Sequence, residues 1–238
     1  MKSPLAIALV AGLVSLLLAF APVAWHMLVP GEPAPPAQGT PWQVVQPSPG
    51  RSQVFGLALP GSTLADALAR WGEDLQVAVV VAGRAEGGAA TDPRADAPAL
   101  EAYLERFSAG GVDGRLLLSF DADPAALAGW RERLTGTPTG AGARRHALDA
   151  AAQAGAAQAP LVGIGFIPTA QLDAAVLRAR FGEPAERIAD GERLEHWLYP
   201  ALGLAVVLDA RGRELLQYVA PDDFDARLVR PLRERRGH

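Results

Sequence analysis

Cysteine is absent from this sequence of 238 residues, and lysine occurs once, at Lys2. The missing cysteines exclude disulfides, thiolate ligation of zinc or iron–sulfur clusters, thiol catalysis and a lipidated N-terminal cysteine. The formal net charge is −4 at pH 7, which argues against a general nucleic-acid-binding surface. The sequence also lacks the motifs of phosphate loops, serine hydrolases, zinc metalloproteases and dinucleotide-binding folds. It therefore predicts no cofactor, no metal and no nucleic-acid partner.

Charge is missing altogether from residues 4–29, an apolar run without Asp, Glu, Lys or Arg. As a helix this segment would span about 39 Å, more than the ~30 Å hydrocarbon core of a bilayer. Lys2 precedes the run and Arg51 is the next basic residue after it, so the positive-inside rule places the N-terminus in the cytoplasm. We expect a single-pass inner-membrane anchor over residues 1–30, with the rest of the chain in the periplasm.

A cleaved signal peptide is the alternative for this segment. Residues 19–21 have the small-x-small pattern that precedes a signal-peptidase site, although Pro22 would then follow the cut directly. Both interpretations export the remaining chain. Residues 31–53 are rich in proline and predict an extended linker, in which Trp42 and the valines that follow could form a short docking segment.

An internal repeat organises the exported part. Residues 54–60 and 162–168 are apolar segments that end at a proline, and each precedes a hydroxyl residue, Thr63 or Thr169, at the predicted start of an amphipathic helix. Strands are predicted at 75–82, 100–107 and 116–120, and again at 194–199, 204–209 and 214–219; closing helices are predicted at 123–134 and 222–232.

This pattern predicts an α+β fold in which two similar β-α-β-β-β-α units, 54–143 and 144–238, build antiparallel sheets covered by helices. Residues 144–148 could add a strand, and residues 149–158 could add an alanine-rich helix between the units.

The second unit resembles the SmpA/OmlA-type lipoprotein domain, a small component of the outer-membrane β-barrel assembly machinery. The resemblance rests on Phe181-Gly182-Glu183-Pro184 at the end of a helix, on Trp197-Leu198-Tyr199 in a strand, and on Gly203 before an apolar strand. The whole chain also resembles uncharacterised, membrane-anchored envelope proteins of proteobacteria. These resemblances imply a binding or scaffolding module of the cell envelope, without catalysis.

Aromatic side chains on one predicted strand are the candidate contact residues. Trp197 and Tyr199 alternate along residues 194–199 and share one face of the sheet, with Arg187 nearby in sequence. They are either sheet core under a helix or an aromatic platform for a partner, because Trp, Tyr and Arg anchor interfaces. Trp197, Tyr199 and Arg187 are therefore the predicted binding residues, and an envelope protein is the predicted partner.

A periplasmic hydrolase with a site between the two units is the alternative function, with Glu195, His196 or Asp209 as its catalytic groups. It requires a histidine and a carboxylate that converge in a concave pocket. A third possibility is a structural role for the anchor helix in a membrane complex. Five arginines lie near the end of the last predicted helix, at 227, 230, 233, 235 and 236. They either form a solvated helix end, where cations suit the helix dipole, or bind an anionic headgroup or an acidic partner.

Overall fold

The structure, a computed structural model, describes residues 39–81, 97–139 and 143–236. The predicted anchor at 4–29, the start of the linker and most of the polar loop at 83–98 lie outside these residues, as do His26 and His238. Within the described part of the chain, no helix has both the length and the apolar character that crossing a bilayer requires.

Two antiparallel sheets, one large and one small, contain all the described strands, which confirms a mixed α+β fold dominated by antiparallel pairing. In chain order the strands are β1 (Val45–Ser48), β2 (Arg51–Val54), β3 (Leu57–Leu59), β4 (Gln76–Val81), β5 (Ala99–Ala109), β6 (Val112–Phe120), β7 (Gly136–Pro138), β8 (Arg144–Ala147), β9 (Leu161–Pro168), β10 (Glu186–Asp190), β11 (Leu194–Tyr199), β12 (Leu204–Asp209) and β13 (Leu215–Tyr218).

The large sheet has ten strands in the order β10-β11-β12-β13-β9-β6-β5-β4-β8-β7, and β1, β2 and β3 form the small one. The two parts of the chain that carry the internal repeat meet in this single sheet, where β6 pairs with β9 from Gly114↔Pro168 to Phe120↔Leu161. Strand β8 pairs with β4, so residues 144–147 lie beside the strands of the first predicted unit. From Gly39 onward the described residues form one compact unit, which contains both segments predicted as α+β units.

Four of the five α-helices in the described residues begin after a residue whose side chain caps the first turn. Thr63 caps the first helix in a reciprocal capping box with Asp66, as its hydroxyl predicts. The prediction of Thr169 as the second N-cap is wrong: Asp173 caps that helix through Val176 N, 2.8 Å away. The α-helices are α1 (Leu64–Trp71), α2 (Pro124–Arg133), α3 (Ala150–Ala156), α4 (Ala174–Phe181) and α5 (Arg230–Arg236).

The predicted strand at 54–60 is broken in two, because Phe55 and Gly56 form a tight turn between β2 and β3. Both residues have positive φ, 53° and 80°, the conformation of a two-residue hairpin turn. Phenylalanine is an unusual residue there, and long-range packing explains it. The Phe55 ring lies 5.2 Å from Phe107 and 5.6 Å from Phe166, centroid to centroid. Phe55 thus holds the small sheet against the large one.

The large sheet has an inner and an outer face, which its side chains occupy alternately along each strand. The inner face carries the main core. Helices α1 to α4 and the β2–β3 hairpin bury Leu64, Leu127, Ala152, Leu177 and Phe55 in the same cluster as the inner-face residues of the sheet. Helices α1 to α4 therefore cover the inner face, and within the described part of the chain the C-terminal segment is the one helical segment on the outer face.

Candidate functional site

Half of the outer face is covered by the C-terminal segment. This segment runs from a 3-10 turn at Pro221–Asp223 through a π-helical stretch at Asp225–Val229 into α5. Its apolar side chains form a separate cluster with outer-face residues of β10, β11 and β12 and with Val219, which follows β13. The members of the cluster are Ile188, Leu198, Ala205, Val219, Phe224, Val229 and Leu232.

Among the described residues, no helix covers the other half of the same face. One row of paired residues crosses the sheet from β4 to β10: Gln76, Tyr103, Leu117, Gly165, Gln217, Ala205, Leu198 and Glu186. Leu198 and Ala205, at one end of the row, are buried in the outer cluster. Leu117 and Tyr103, at the other end, are only half-buried and belong to neither apolar cluster of the described residues.

A groove of about 350 Å³ marks the boundary between the covered and open halves. Arg227 and Leu228 of the C-terminal segment form one wall, and Leu117, Ser119 and Glu101 lie on the other side. Gly163 and Gly165 of β9 form the floor. The groove thus runs beside the C-terminal segment and over β6 and β9, the strand pair that joins the two predicted units.

The two glycines leave this groove open without being required by the fold. A Cβ at Gly165 would lie 3.5 Å from the Leu117 Cβ and 3.6 Å from the Leu215 Cδ1, and one at Gly163 would come no closer than 3.8 Å to a neighbour. These are ordinary van der Waals distances, and neither residue has a positive φ. A side chain would fit at both positions, whereas glycine in a strand interior weakens the strand. No side chain therefore projects from these two positions of β9 into the groove.

Polar groups stand at the edge of the groove. Glu101 is half-buried, and its burial raises the pKa of the carboxyl group, an effect that nearby Arg145 partly opposes. The Arg145 guanidinium stacks on the Tyr103 ring, 3.9 Å from the centroid. The Tyr103 hydroxyl donates to Gln76 Oε1. This open half therefore combines an apolar, glycine-floored surface with one carboxyl group and one cation that are already partly desolvated.

The edges of the large sheet are less suited to a partner strand. Strand β7 has three residues and ends at Pro138, which has no N–H to donate. Strand β10 presents charged side chains that are engaged within the molecule: Arg187 contacts Glu183 Oε2 at 2.6 Å, and Glu186 accepts from Arg233 at 3.0 Å. Charged and proline-containing edges discourage edge-to-edge pairing.

Trp197 and Tyr199, two of the predicted binding residues, lie in the inner core, with 1% and 5% of their surface exposed. Two guanidinium groups lie near the ring of Trp197, with Arg187 Cζ 4.5 Å and Arg178 Cζ 5.0 Å from its centroid. Its Nε1–H has no acceptor among the described atoms. The structure favours sheet core for both rings. Arg187 remains on the surface, 39% exposed, above the tryptophan that it covers.

The residues that carry the resemblance to the SmpA/OmlA-type domain form one packing unit. Gly182 ends α4 at φ 79°, and its carbonyl accepts a hydrogen bond of 3.2 Å from the Tyr199 hydroxyl. Glu183 bridges the two arginines on Trp197, at 3.3 Å from Arg178 and 2.6 Å from Arg187. Burial and the charge of Glu183 raise the pKa of Tyr199. This motif therefore fastens α4 to β11.

The three residues named for a hydrolase do not converge. Glu195 pairs with Ala189 and Leu208, whereas the next residue, His196, points to the opposite face. Asp209 is held by Arg193 through two contacts of 2.6 Å, which lower the pKa of the Asp209 carboxyl to about 2. The carboxylate closest to His196 is that of Asp190, 3.6 Å from its Nε2.

Carboxylates and histidines elsewhere in the described residues have structural contacts. Asp123 caps α2 by accepting from Ala125 N at 3.0 Å. His146 Nδ1 lies 2.9 Å from the Leu134 carbonyl oxygen. Glu214 is buried and accepts from Leu172 N at 3.0 Å. Across residues 39–81, 97–139 and 143–236, no three His, Asp or Glu side chains are grouped as metal ligands.

The groove was not predicted from the sequence, although a signal for it exists. Gly163 and Gly165 are separated by one residue in a strand, so both lie on the same face and leave that face without side chains at two successive positions. In comparisons with known proteins, no family model, no curated protein and no solved structure matches this chain.

Proposed function

We propose that the chain is an exported binding module of the bacterial cell envelope, tethered to the inner membrane by residues 4–29, and that the groove receives an amphipathic helix of an envelope protein. The tandem-unit interpretation is part of this proposal. The ten strands divide into β4–β8 and β9–β13, and the junction between the two groups lies under the groove. The resemblance to the SmpA/OmlA-type domain agrees with a scaffolding role.

The observation that carries the proposal is the contrast within the row that contains Leu117 and Leu198. One end of the row is covered by a helix of this chain, and the other end offers Leu117 and Tyr103 beside a glycine floor. A second helix beside the C-terminal one would continue the same layer across the sheet. Gly163 and Gly165 allow its backbone to approach closely, and the wall residue Leu228 offers it an apolar neighbour.

Charge at the groove supports a helix with an apolar stripe flanked by acidic residues. Arg145 stacks on an aromatic ring and acts on the Glu101 carboxyl without forming an ion pair with it, so its charge can also pair with a carboxylate of a partner. Arg227 on the opposite wall has Asp223 at 3.5 Å, in an exposed pair of the kind that contributes little to stability. Burial already raises the pKa of Glu101, and further desolvation under a docked helix would act in the same direction.

The test fills the groove from its floor. Gly165→Leu projects a side chain into the groove without a clash at its Cβ, and Gly129→Leu is the matched control, because a Cβ at Gly129 on α2 meets nothing within 4 Å. Full-length wild-type and variant chains are solubilised from the membranes of their own host. Their complexes are then compared by native gel electrophoresis and mass spectrometry of the excised bands.

We expect the wild type and Gly129→Leu to migrate with a second envelope protein, well above the 24.9 kDa of the chain, and Gly165→Leu to migrate without it. Unfolding temperatures of the three purified chains establish that the variant is folded. The proposal is overturned if Gly165→Leu retains the complex, if no complex forms, or if the complex contains only copies of this chain.

A further inference from the structure

A second cavity, of about 480 Å³, lies between the β2–β3 hairpin and α1 and shares no lining residue with the groove. Two arginines from different elements line it, Arg51 at the start of β2 and Arg70 near the end of α1. Ser62 and Asp66 also line it. We call this cavity the arginine pocket.

Each guanidinium group of the arginine pocket lies directly against a glycine. A Cβ at Gly56 would lie 2.8 Å from the Arg70 Cζ, and a Cβ at Gly61 would lie 3.0 Å from the Arg51 Nη2. Both glycines have positive φ, +80° and +139°. Each arginine head therefore rests on bare backbone, where any other residue would be both strained and in the way.

Arg51 and Arg70 each contact a neighbouring group of the chain, but no described carboxylate forms an ion pair with either of them. Arg51 Nη2 donates to the Pro60 carbonyl oxygen at 3.0 Å, and the Arg70 guanidinium lies 5.7 Å from the centroid of the Trp71 ring. Among the described residues neither arginine has a carboxylate within ion-pair distance. The nearby Asp66 is engaged elsewhere, because its Oδ2 accepts from the N and Oγ1 of Thr63 at 2.8 and 3.0 Å.

Ser62 adds a neutral donor to the pocket. Its Oγ accepts a hydrogen bond of 3.0 Å from Ala58 N, which fixes the oxygen and leaves the hydroxyl proton to donate. Two guanidinium groups and one hydroxyl therefore supply donors around a single open space.

We infer that the arginine pocket binds a phosphate group. A tetrahedral phosphate offers oxygens in several directions, so it can accept from two arginines on different elements and from a hydroxyl at once. A planar carboxylate has two oxygens, and one bidentate arginine occupies both. The phosphate can belong to a lipid headgroup or to a soluble ligand, and the two sources share the same chemistry.

The test uses the full-length chain in a non-ionic detergent and two probes, inorganic phosphate and dihexanoyl phosphatidic acid below its micelle concentration. Binding is measured by isothermal titration calorimetry on the wild type, Arg51→Gln, Arg70→Gln and the control Arg131→Gln. Arg131 is exposed on α2 and does not line the pocket. The unfolding temperature of each chain without ligand establishes that it is folded.

The inference requires saturable binding of at least one probe to the wild type and to Arg131→Gln. It further requires binding about tenfold weaker or more in both pocket variants, the effect of losing one hydrogen-bonded ion contact. Tighter binding of the phosphatidic acid than of inorganic phosphate identifies a lipid headgroup, and equal binding identifies a soluble phosphate. The inference is overturned if the wild type binds neither probe saturably, or if the pocket variants bind like Arg131→Gln.

Discussion

The covered and open halves of the outer face are built on the same strands but differ in what lies above them. In the covered half, Phe224, Val229 and Leu232 complete a small apolar core over Leu198 and Ala205. In the open half, Leu117 occupies the same row as Leu198 and remains half-buried beside a groove floored by glycine. In the described residues, one face of the ten-stranded sheet is covered by helices, whereas the other face is covered over only half of its area. We propose that the uncovered half receives a partner.

The largest expected difference in the free energy of unfolding is between two leucine-to-alanine substitutions in the row that contains Leu117 and Leu198. Leu198→Ala removes a side chain that is 3% exposed within the outer cluster, and we expect a loss of about 3 kcal/mol in the free energy of unfolding. Leu117→Ala removes a half-buried side chain beside open space, and we expect a loss of about 1 kcal/mol. Chemical denaturation of both variants measures the difference. Equal losses would mean that the open half is covered after all.

Glycine substitutions sharpen the same contrast. Gly203→Ala should destabilise by at least about 1 kcal/mol, because φ is +65° and the new Cβ would lie 2.1 Å from the Val219 carbonyl oxygen. Gly165→Ala should stabilise by about 0.5 kcal/mol, because its Cβ fits and the unfolded chain loses freedom. Urea midpoints of the two variants measure both effects. A loss of stability in Gly165→Ala would show that the fold itself needs this glycine.

Carboxyl groups of the two repeats should give stability profiles of opposite slope. Burial raises the pKa of Glu101 above its ordinary value of 4.5, so its ionisation costs more in the folded chain than in the unfolded chain. The stability of the wild type relative to Glu101→Gln should therefore fall as the pH rises above 4.5. Denaturation at several values between pH 4 and 7 measures this difference. A constant difference across this range would exclude the desolvated carboxyl.

Asp209 is the counterpart with the opposite sign. Arg193 and the Arg211 N–H lower the pKa of its carboxyl from 3.8 to about 2, so the folded chain favours the carboxylate. Its contribution is fully present above pH 3.8 and is lost as the pH falls to about 2. Wild type and Asp209→Asn, compared by denaturation from pH 2 to 6, should converge at the acidic end. An advantage of the wild type that persisted at pH 2 would contradict this assignment.

The smallest effect distinguishes two surface cation contacts. A double-mutant cycle on Arg145 and Tyr103 should give about 0.5–1 kcal/mol, because the guanidinium stacks 3.9 Å from the ring centroid beside the groove. A cycle on Arg230 and Asp225, whose ion pair of 3.2 Å is exposed, should give less than about 0.5 kcal/mol. Each free energy comes from denaturation of the single and double variants. The reverse order would remove the argument that the open half is partly desolvated.

Local patterns in the sequence predicted β11 and β12 closely, whereas the strand at Glu186–Asp190 was not predicted. Residues 194–199 and 204–209 coincide with β11 and β12, because alternating apolar residues between glycine and proline turns are a local signal. The break at Phe55 was missed, since a phenylalanine at positive φ is held there by rings distant in sequence. Distant contacts thus decide what local patterns leave open.

The site was harder to predict for the same reason. Alternation shows that Trp197 and Tyr199 share a face, but it does not show that α4 and two arginines cover that face. The glycines at 163 and 165 also share a face, but their spacing does not show that this face is uncovered. It is open because the C-terminal segment passes to one side of the two glycines, with Leu228 at the wall of the groove. Which face a helix covers depends on contacts between residues distant in sequence, which periodicity does not encode.

The most direct test of docking at the open half is site-specific photo-crosslinking in cells of the native host. A photoreactive residue replaces Ser119, which is exposed at the groove, or Ala175, which is exposed on α4 at the inner side. Mass spectrometry then identifies the peptide that is attached at each position. We expect the photoreactive residue at position 119 to crosslink to one amphipathic helical segment of an envelope protein, and the one at position 175 to give no such adduct. We also expect Gly165→Leu to abolish the adduct at position 119. Equal adducts from both positions, or an adduct at Ser119 that survives Gly165→Leu, would contradict it.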